Sequence, residues 1–379
     1  MASANLKMEG NEIDVEAMEP ISLSDPLEEC ADISEIGGVE NKHDEGETNV
    51  VRKFKRFLAN MWQKLLDKTR VLEDLWPQYC CGGGEMERTR AYHVWPGNNV
   101  FFFRGRLICG PDPRGLLLTA VSISLSSWIF AVYVADELPN HSGLVITIGV
   151  ILTIIVLVNL ILVSMIDPGI VPRNDQPFVF DEIGSSDRTR KKRVINVNGL
   201  ELKLKYCRVC KIYRPPRSCH CAVCDNCVEN FDHHCPWIGQ CIGLRNYRFY
   251  LTFLVTALVF FAYIFAFSCW RVHQRMSQSG TGIFSMLRNR PEILALASFS
   301  SAAIAFLAGL TGYHAYLIAT NQTAYENFRQ RYSGSRNPYD KGILSNIMDT
   351  LFMRLPPSRV DFRAEVAPWW SGCSDGDGK

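Results

Sequence analysis

Residues 207–241 read CRVCKIYRPPRSCHCAVCDNCVENFDHHCPWIGQC, and this stretch decides how the rest of the chain is understood. It holds eight cysteines and three histidines in one short, otherwise polar segment. That many candidate ligands exceed what one ion can use, whereas two tetrahedral zinc sites would take about eight. The stretch therefore predicts a small domain built around two metal sites, with three groups left over.

Two pairs of cysteines have the tight spacing of a zinc knuckle, in which the chain turns so that two thiolates face one ion. These pairs are Cys207 with Cys210 and Cys221 with Cys224. Four other side chains of ligand type can complete the two sites: His220, Cys227, His234 and Cys241. The groups that remain are Cys219, His233 and Cys235.

Two of the remaining groups, His233 and Cys235, lie two residues apart and directly follow Asp232. A cysteine nucleophile needs a base to take its proton, and the base needs a carboxylate to hold its tautomer. Asp232, His233 and Cys235 supply these three types of group in one turn of chain. The segment therefore predicts a nucleophilic thiol beside a metal site, and His234 bound to zinc would hold the loop rigid.

A purely structural zinc fold, such as a ring-type or nucleic-acid-binding finger, is the alternative that the spacing leaves open. A ring-type cross-brace needs a further Cys-x-x-Cys pair at its end, and only the lone Cys241 follows. The formal net charge of +1 over 379 residues argues against a general nucleic-acid binder, so we expect no nucleic-acid partner.

The run Asp232-His233-His234-Cys235-Pro236-Trp237, set in this cysteine frame, resembles the DHHC cysteine-rich domain of protein S-acyltransferases, the palmitoyltransferases. The resemblance implies two structural zinc ions. It assigns one ion to Cys207, Cys210, His220 and Cys227, and the other to Cys221, Cys224, His234 and Cys241. It also implies that Cys235 carries the acyl group, that His233 acts as the base and that Asp232 orients His233. Cys219 has no role in that scheme.

The termini of the chain differ from its centre in composition. Residues 1–50 carry fourteen Asp and Glu against two Lys and predict a disordered acidic tail without a signal peptide. Residues 51–114 form an N-terminal region in which 51–76 predict a basic amphipathic helix, lying either on an anionic membrane or on the protein itself. Residues 320–379 form a C-terminal region. The thiolates of the zinc cluster need a reducing compartment, which places the cluster in the cytosol. Because the chain has an even number of predicted spans, described next, we expect both terminal regions on that same cytosolic side.

Four uncharged apolar segments each have the roughly 20 residues that a helix needs to cross a bilayer. They predict membrane spans at 115–135, 142–166, 249–270 and 293–319. The loop 173–248 joins the second and third spans, and within it the cysteine-rich domain covers about 205–245. The predicted fold is therefore an α-helical integral membrane protein with four spans and a small two-zinc domain between spans two and three.

The charges of the loops predict the orientation of the spans. Residues 136–141 contain no Lys or Arg, whereas the loop 173–248 is basic, which places that loop in the cytosol. Residues 271–292 are then lumenal, although four arginines there oppose the rule: Arg271, Arg275, Arg288 and Arg290. Within the cytosolic loop, Val194–Lys205 alternates apolar and polar residues around Asn198-Gly199 and predicts a β-hairpin.

Three motifs outside the cysteine cluster have counterparts in the same family. Asp167-Pro168-Gly169 ends the second span and predicts a helix stop. After the fourth span the family has Thr-Thr-x-Glu, whereas this chain has Thr323-Ala324-Tyr325-Glu326. Ala324 thus removes a hydroxyl that the resemblance would place on Asp232. Asn337-Pro338-Tyr339 resembles the family's Asn-Pro-aromatic element, whose Asn satisfies backbone groups near the fourth span.

These observations predict a protein-cysteine S-palmitoyltransferase that moves a long-chain acyl group from acyl-CoA to cysteines of protein substrates through acyl-Cys235. The expected partners are the lipid bilayer, acyl-CoA and cytosolic or membrane-anchored proteins with accessible cysteines. Three cations are candidates for binding the CoA phosphates: Lys211, Arg214 and Arg217. The expected location is an endomembrane, Golgi or ER, or the plasma membrane. The competing hypothesis is a catalytically weak, zinc-stabilised membrane adaptor.

Overall fold

The structure is a computed structural model, and it describes residues 89–135, 142–174, 193–280 and 282–366. The predicted acidic tail, the predicted amphipathic helix at 51–76, the predicted loop at 136–141 and residues 175–192 of the predicted cytosolic loop lie outside the described residues.

Four long helices dominate the described residues. They are α1 (Arg114–Ile129), which continues as a π-helical turn over Phe130–Ala135, α2 (Ser142–Met165), α3 (Tyr247–Ser279) and α5 (Pro291–Ala319), with the short α4 (Ile283–Asn289) before α5. All four are long and apolar enough to cross a membrane, which confirms the predicted four-span fold. Helix α3 runs well past its apolar stretch, because no helix breaker occurs before Gly280, which caps it in the left-handed conformation at φ 58°.

The helices pack around a continuous apolar core in which α3 lies between α2 and α5. The fully buried side chains of this core include Phe130, Leu160, Phe260, Ile264 and Ile293. Other apolar side chains face outward and are about half exposed, among them Leu125, Ile154, Ile161 and Phe306. An apolar outer surface of this kind on a helix bundle suits the hydrocarbon of a bilayer better than water.

The second span ends at Asp167, as the sequence predicts. The Asp167 carboxylate accepts hydrogen bonds from the backbone amides of Gly169 and Ile170, both at 2.9 Å, and this turns the chain sharply. Gly169 has a φ of 109°, which other residues rarely adopt. The second carboxylate oxygen receives the Arg245 guanidinium at 2.9 Å, so the end of α2 is joined to the segment that precedes α3.

The region between α2 and α3 consists of short antiparallel strands. They are β3 (Ile170–Val171), β4 (Val194–Val197), β5 (Leu200–Lys203), β6 (Tyr206–Cys207), β7 (Ile212–Tyr213), β8 (Cys219–Cys221), β9 (Asn226–Val228), β10 (His233–Cys235) and β11 (Gln240–Ile242). Strands β4 and β5 form the predicted hairpin, with Asn198 and Gly199 both at positive φ. Strands β3, β9 and β8 form one sheet in that order, and β10 pairs with β11.

Segments from both sides of the bundle cover this region. Before α1, a 3-10 turn at Ala91–His93 is followed by a hairpin of β1 (Val100–Phe102) and β2 (Leu107–Cys109). This hairpin packs against the cysteine-rich region. After α5 come α6 (Ala324–Phe328) and α7 (Ile343–Phe352). The chain then crosses as a strap, residues 355–366, in which Phe362 is buried against Trp95 and Phe101 at ring separations of 5.0 and 5.2 Å.

Candidate active site and metal clusters

Strand alternation separates the two metal clusters. Successive side chains of a strand point to opposite faces, so the neighbours His220 and Cys221 on β8 are sent to different clusters. The same alternation acts on β10, where His234 points away from the face shared by His233 and Cys235. His234 lies opposite Cys241 on β11, which brings two ligands of one cluster together across the hairpin.

The structure brings together all eight predicted metal ligands, in two groups of four whose ligand atoms lie within 4.8 Å of one another. One group is Cys207, Cys210, His220 and Cys227; the other is Cys221, Cys224, His234 and Cys241. In the second group the His234 Nδ1 atom lies 3.5, 3.6 and 3.7 Å from the sulfurs of Cys224, Cys241 and Cys221. A tetrahedral zinc ion with ordinary Zn–S and Zn–N bonds would have edges of about 3.5–3.8 Å, so the donors fit zinc.

Further details of both clusters are typical of zinc knuckles. The Cys210 amide faces the Cys207 sulfur at 3.4 Å, and the Cys224 amide faces the Cys221 sulfur at 3.5 Å. The residue after each knuckle is left-handed: Lys211 at φ 53° and Asp225 at φ 51°. His220 turns Nδ1 towards its cysteines and Nε2 towards Asp225 at 3.4 Å, a carboxylate that would fix the orientation of a ligating imidazole.

The other face of β10 carries the predicted catalytic groups. His233 Nδ1 lies 2.7 Å from Asp232 Oδ2, and His233 shares its strand face with Cys235. Burial alone would raise the pKa of Asp232, but the hydrogen bond from His233, its charge and further partners hold that pKa below its ordinary value. Because Asp232 is therefore a carboxylate, His233 donates from Nδ1, and its Nε2 is left to accept a proton.

Two opposing effects set the basicity of His233. Burial by itself lowers the pKa of the imidazole, whereas hydrogen bonds to Asp232 and Cys235 and the charges of both groups raise it to about 10. An imidazole with a raised pKa keeps a proton that it takes from a thiol. Asp232, His233 and Cys235 thus have the arrangement of an orienting acid, a base and a nucleophile, in that order, which suits acyl transfer through a thiolate.

The motif after α5 reaches the same site through its backbone. The Ala324 amide donates to Asp232 Oδ1 at 2.8 Å, and the Tyr325 amide donates to the Asp232 carbonyl at 3.1 Å. Asp232 therefore has a donor from residue 324 although Ala324 lacks a hydroxyl. Thr323 forms a capping box with Glu326, in which each side chain bonds the other's backbone amide, and this fixes the start of α6.

Arg217 joins the cysteine-rich region to the segment after α5, a contact that the sequence did not indicate. Its guanidinium donates from Nε and Nη2 to the Glu326 carboxylate at 2.6–3.1 Å, and from Nη1 to the Asn321 side chain at 2.8 Å. The guanidinium also lies 4.6 Å from the ring centroid of Tyr339. These contacts use four of its five N–H groups, and the guanidinium also lies on the wall of the cavity described below, so its binding to a CoA phosphate stays a prediction. The pattern of charges alone could not distinguish a buried arginine from an exposed one.

The Asn-Pro element takes the place that the resemblance implies. Asn337 donates from Nδ2 to the carbonyls of Thr320 and Asn321 at 2.8 and 3.0 Å, where α5 ends. Beside it lies a cavity of about 480 Å³ whose wall includes Asp232, Arg248 and Arg354. The other two predicted phosphate ligands, Lys211 and Arg214, are not among the residues that line this cavity.

A second histidine lies beside His233. His314 of α5 is 1% exposed, its Nδ1 lies 3.0 Å from the Tyr247 hydroxyl, and its ring is 6.2 Å from that of His233. Tyr250 packs edge-on against both histidines, at 5.4 and 5.0 Å. His314 is not among the residues predicted above, although an ionisable residue within an apolar span is a signal of function.

Comparison with known proteins gives matches that agree with this geometry. A family model described as DHHC palmitoyltransferase matches residues 201–331. Probable protein S-acyltransferase 7 of Arabidopsis thaliana is 42% identical to the chain over 293 residues, which cover 73% of this chain and 66% of the relative.

Two further relatives from the same plant show similar values. Probable protein S-acyltransferase 5 is 41% identical over 305 residues, covering 76% of this chain and 63% of the relative. Protein S-acyltransferase 8 is 41% identical over 296 residues, covering 73% and 72%. The chain thus spans 63–72% of the length of these three relatives.

Proposed function

Since this chain belongs to the DHHC family of protein S-acyltransferases, we propose that it transfers a long-chain acyl group, palmitoyl above all, from acyl-CoA to cysteines of protein substrates. The observation that carries this proposal is the placement of His233 and Cys235 on one face of β10, with Asp232 charged and hydrogen-bonded behind His233. An adaptor that only binds partners would have no use for a buried base beside a thiol.

The reaction has two stages. His233 Nε2 takes the proton of Cys235, and the thiolate attacks the thioester carbonyl of acyl-CoA. The CoA sulfur leaves with its electron pair and receives the proton from His233. A substrate cysteine then gives its thiol proton to His233 and attacks the acyl-Cys235 thioester, which releases Cys235 as a thiolate that is reprotonated by His233.

The helix bundle provides a position for the acyl chain beside the thiol. Cys235 is 7% exposed and belongs to the same apolar core as Phe253, Phe260 and Phe261 of α3. A hydrocarbon chain held between the spans would place its thioester next to Cys235, and such positioning replaces a dilute encounter in water. Arg248 and Arg354 on the cavity wall join Lys211, Arg214 and Arg217 as cations proposed to bind the CoA phosphates.

Two zinc ions are proposed as structural cofactors. When bound, zinc would hold the loop through four protein ligands at each site and would leave no open position for a substrate. The chemistry is therefore carried by the side chains of β10. We place the cysteine-rich domain and both termini in the cytosol, where acyl-CoA and reduced thiols occur, in an endomembrane or the plasma membrane.

The test is acyl loading of the purified full-length chain. Incubation with palmitoyl-CoA should give a hydroxylamine-labile adduct on Cys235, detected by mass spectrometry. Cys235→Ser should abolish loading and transfer, and His233→Ala should slow loading by on the order of 10²–10⁴-fold because the base is lost. Transfer that persists in Cys235→Ser would refute the mechanism.

Zinc content provides the control for this test. Elemental analysis should find two zinc ions per chain in the wild type and in Cys235→Ser, because Cys235 belongs to neither ligand group. A Cys235→Ser protein that retains its zinc and does not load separates loss of chemistry from loss of fold. A zinc content of zero or one in the wild type would overturn the cofactor assignment.

A further inference from the structure

The β1–β2 hairpin lies between the cysteine-rich region and the end of a membrane span. Alternate residues of the hairpin face these two surroundings. Phe101 and Ile108 pack in the apolar cluster that includes cysteines of the second metal group. Phe102 and Cys109 are buried on the opposite face, where they pack with Met165. Met165 is the last residue of α2, so this face of the hairpin lies at the level where the second span leaves the membrane.

The tip of the hairpin, residues 103–106, exposes an aromatic ring followed by two basic residues. Phe103 is 65% exposed, and both Arg104 and Arg106 are exposed. Three consecutive residues, Phe103, Arg104 and Gly105, have φ values of 51, 58 and 76°, a conformation that costs energy for the first two. Backbone strain of this kind persists where the surroundings hold it in place, and such positions gather at binding sites.

We propose that this tip binds the lipid headgroup layer, with the Phe103 ring inserted at the interface and Arg106 on the phosphate of an anionic phospholipid. Aromatic rings favour the headgroup level of a bilayer, and cations near its surface are attracted by anionic lipids. In the described part of the chain Arg106 enters no ion pair, so its charge is free to meet a headgroup. The occupant is the bilayer because the adjoining face of the hairpin packs on the last turn of a span.

The tip is connected directly to the catalytic loop. Strand β2 is followed by Gly110, where a Cβ atom would lie 2.1 Å from the Gly239 carbonyl, four residues after Cys235. The chain is therefore in backbone contact with the loop within a few residues of the hairpin. Lipid held at the tip would fix the height of the cysteine-rich region above the bilayer surface. This inference concerns lipid contact and does not depend on acyl transfer.

The experiment is photocrosslinking of the full-length protein in nanodiscs made of equal parts phosphatidylcholine and phosphatidylserine. A benzoyl-phenylalanine replaces Phe103, and mass spectrometry identifies the adducts after irradiation. We expect phospholipid adducts at this position, with phosphatidylserine enriched over phosphatidylcholine. Arg106→Gln in the same protein should lower that enrichment by about fivefold, since one cation near the surface is worth about 1 kcal/mol.

A matched control carries the same photoreactive residue at Leu200, which is 42% exposed at the turn of the β4–β5 hairpin and should give no lipid adduct. Retention of both zinc ions shows that each variant is folded. Peptide adducts in place of lipid adducts at position 103 would overturn the proposal. Equal yields of the two phospholipids would overturn the anionic headgroup as the partner.

Discussion

Asp232 keeps a negative charge at a position where only 2% of its surface meets solvent. Its two carboxylate oxygens have different donors: His233 on one, and the Ala324 amide, ninety-two residues further along, on the other. A buried carboxylate that loses a donor is both more costly to keep charged and free to rotate. The orientation of His233 therefore depends on a backbone group of a distant segment.

Ala324→Pro removes that donor with little change of shape. Position 324 is the first residue of α6, where proline is tolerated, and the preceding Thr323 has the extended conformation that proline requires, at φ −86° and ψ 158°. We expect acyl loading of Cys235 to slow by about 10- to 100-fold, the worth of one hydrogen bond to a charged group. Single-turnover loading at matched zinc content measures this effect.

Two substitutions at the same position serve as controls. Ala324→Gly keeps the amide and should load at a rate close to that of the wild type. Ala324→Thr adds the hydroxyl that the family pattern has, and we expect a gain of less than about threefold, because the carboxylate oxygen already has a donor. A gain of tenfold or more would show that the side-chain hydroxyl, and not the amide, sets the rate.

At this scale the sequence predicts the chemistry of side chains but not the contribution of the backbone. The spacing of Asp232, His233 and Cys235 predicts an acid, a base and a nucleophile by residue type, and strand alternation explains why His233 and Cys235 share one face. The identity of the residue at position 324 does not indicate that its backbone amide donates to Asp232. Arg217 illustrates the same limit, because its partner Glu326 lies 109 residues away and becomes a neighbour only through the fold.

Strand β10 gives two adjacent histidines opposite tasks by alternation alone. His234 faces a metal group while His233 faces the thiol, so a shift of register by one residue would exchange the metal ligand and the base. The register is held by pairing with β11, where His234 faces Cys241. It is also held by helix α1, whose first turn presses on the loop that follows β10.

Gly115→Ala tests that contact of α1. A Cβ atom at position 115 would lie 2.0 Å from the carbonyl oxygen of Pro236, the residue after Cys235, and backbone cannot give way as a flexible side chain does. We expect displacement of the loop by an ångström or so and a fall in Cys235 loading of about 100-fold. The measurement is single-turnover loading in detergent, with zinc content determined on the same sample.

Gly143→Ala is the matched control, since position 143 has no heavy atom within 4 Å of an added Cβ. This variant should load like the wild type and should insert equally well. If Gly115→Ala also loaded normally, the contact between α1 and the catalytic loop would have no part in placing Cys235.

Across the whole molecule, apolar runs predict the spans well, because a bilayer demands length and hydrophobicity that a single sequence displays. The strap at 355–366 gives no such signal. It has no periodic pattern, and its anchor, the Phe362 ring, meets Trp95 and Phe101 from the opposite end of the chain. Arg90 pairs with Glu365 in the same contact, 275 residues apart in sequence. Contacts over such separations depend on the completed fold.

Phe362→Ala measures what the strap contributes to stability. Phe362 is 7% exposed, and removal of a buried aromatic ring costs about 3–5 kcal/mol. We expect a lower midpoint of thermal unfolding and faster release of zinc to a chelator, because the ring packs in the cluster that holds Cys221 and Cys224. Phe352→Ala, at a ring 69% exposed, should change neither quantity. Equal behaviour of the two variants would show that the strap does not stabilise the metal region.

The division of the site between β10 and the segment after α5 limits how such a catalyst can be inherited. Genetic exchange that carried only residues 201–245 into another protein would transfer the metal ligands and the reactive thiol. It would leave behind the Ala324 amide that holds Asp232 and the Glu326 carboxylate that holds Arg217. The recipient would acquire a metal-binding module without a working base. We therefore expect this site to pass between genes only as a unit that includes the last two spans.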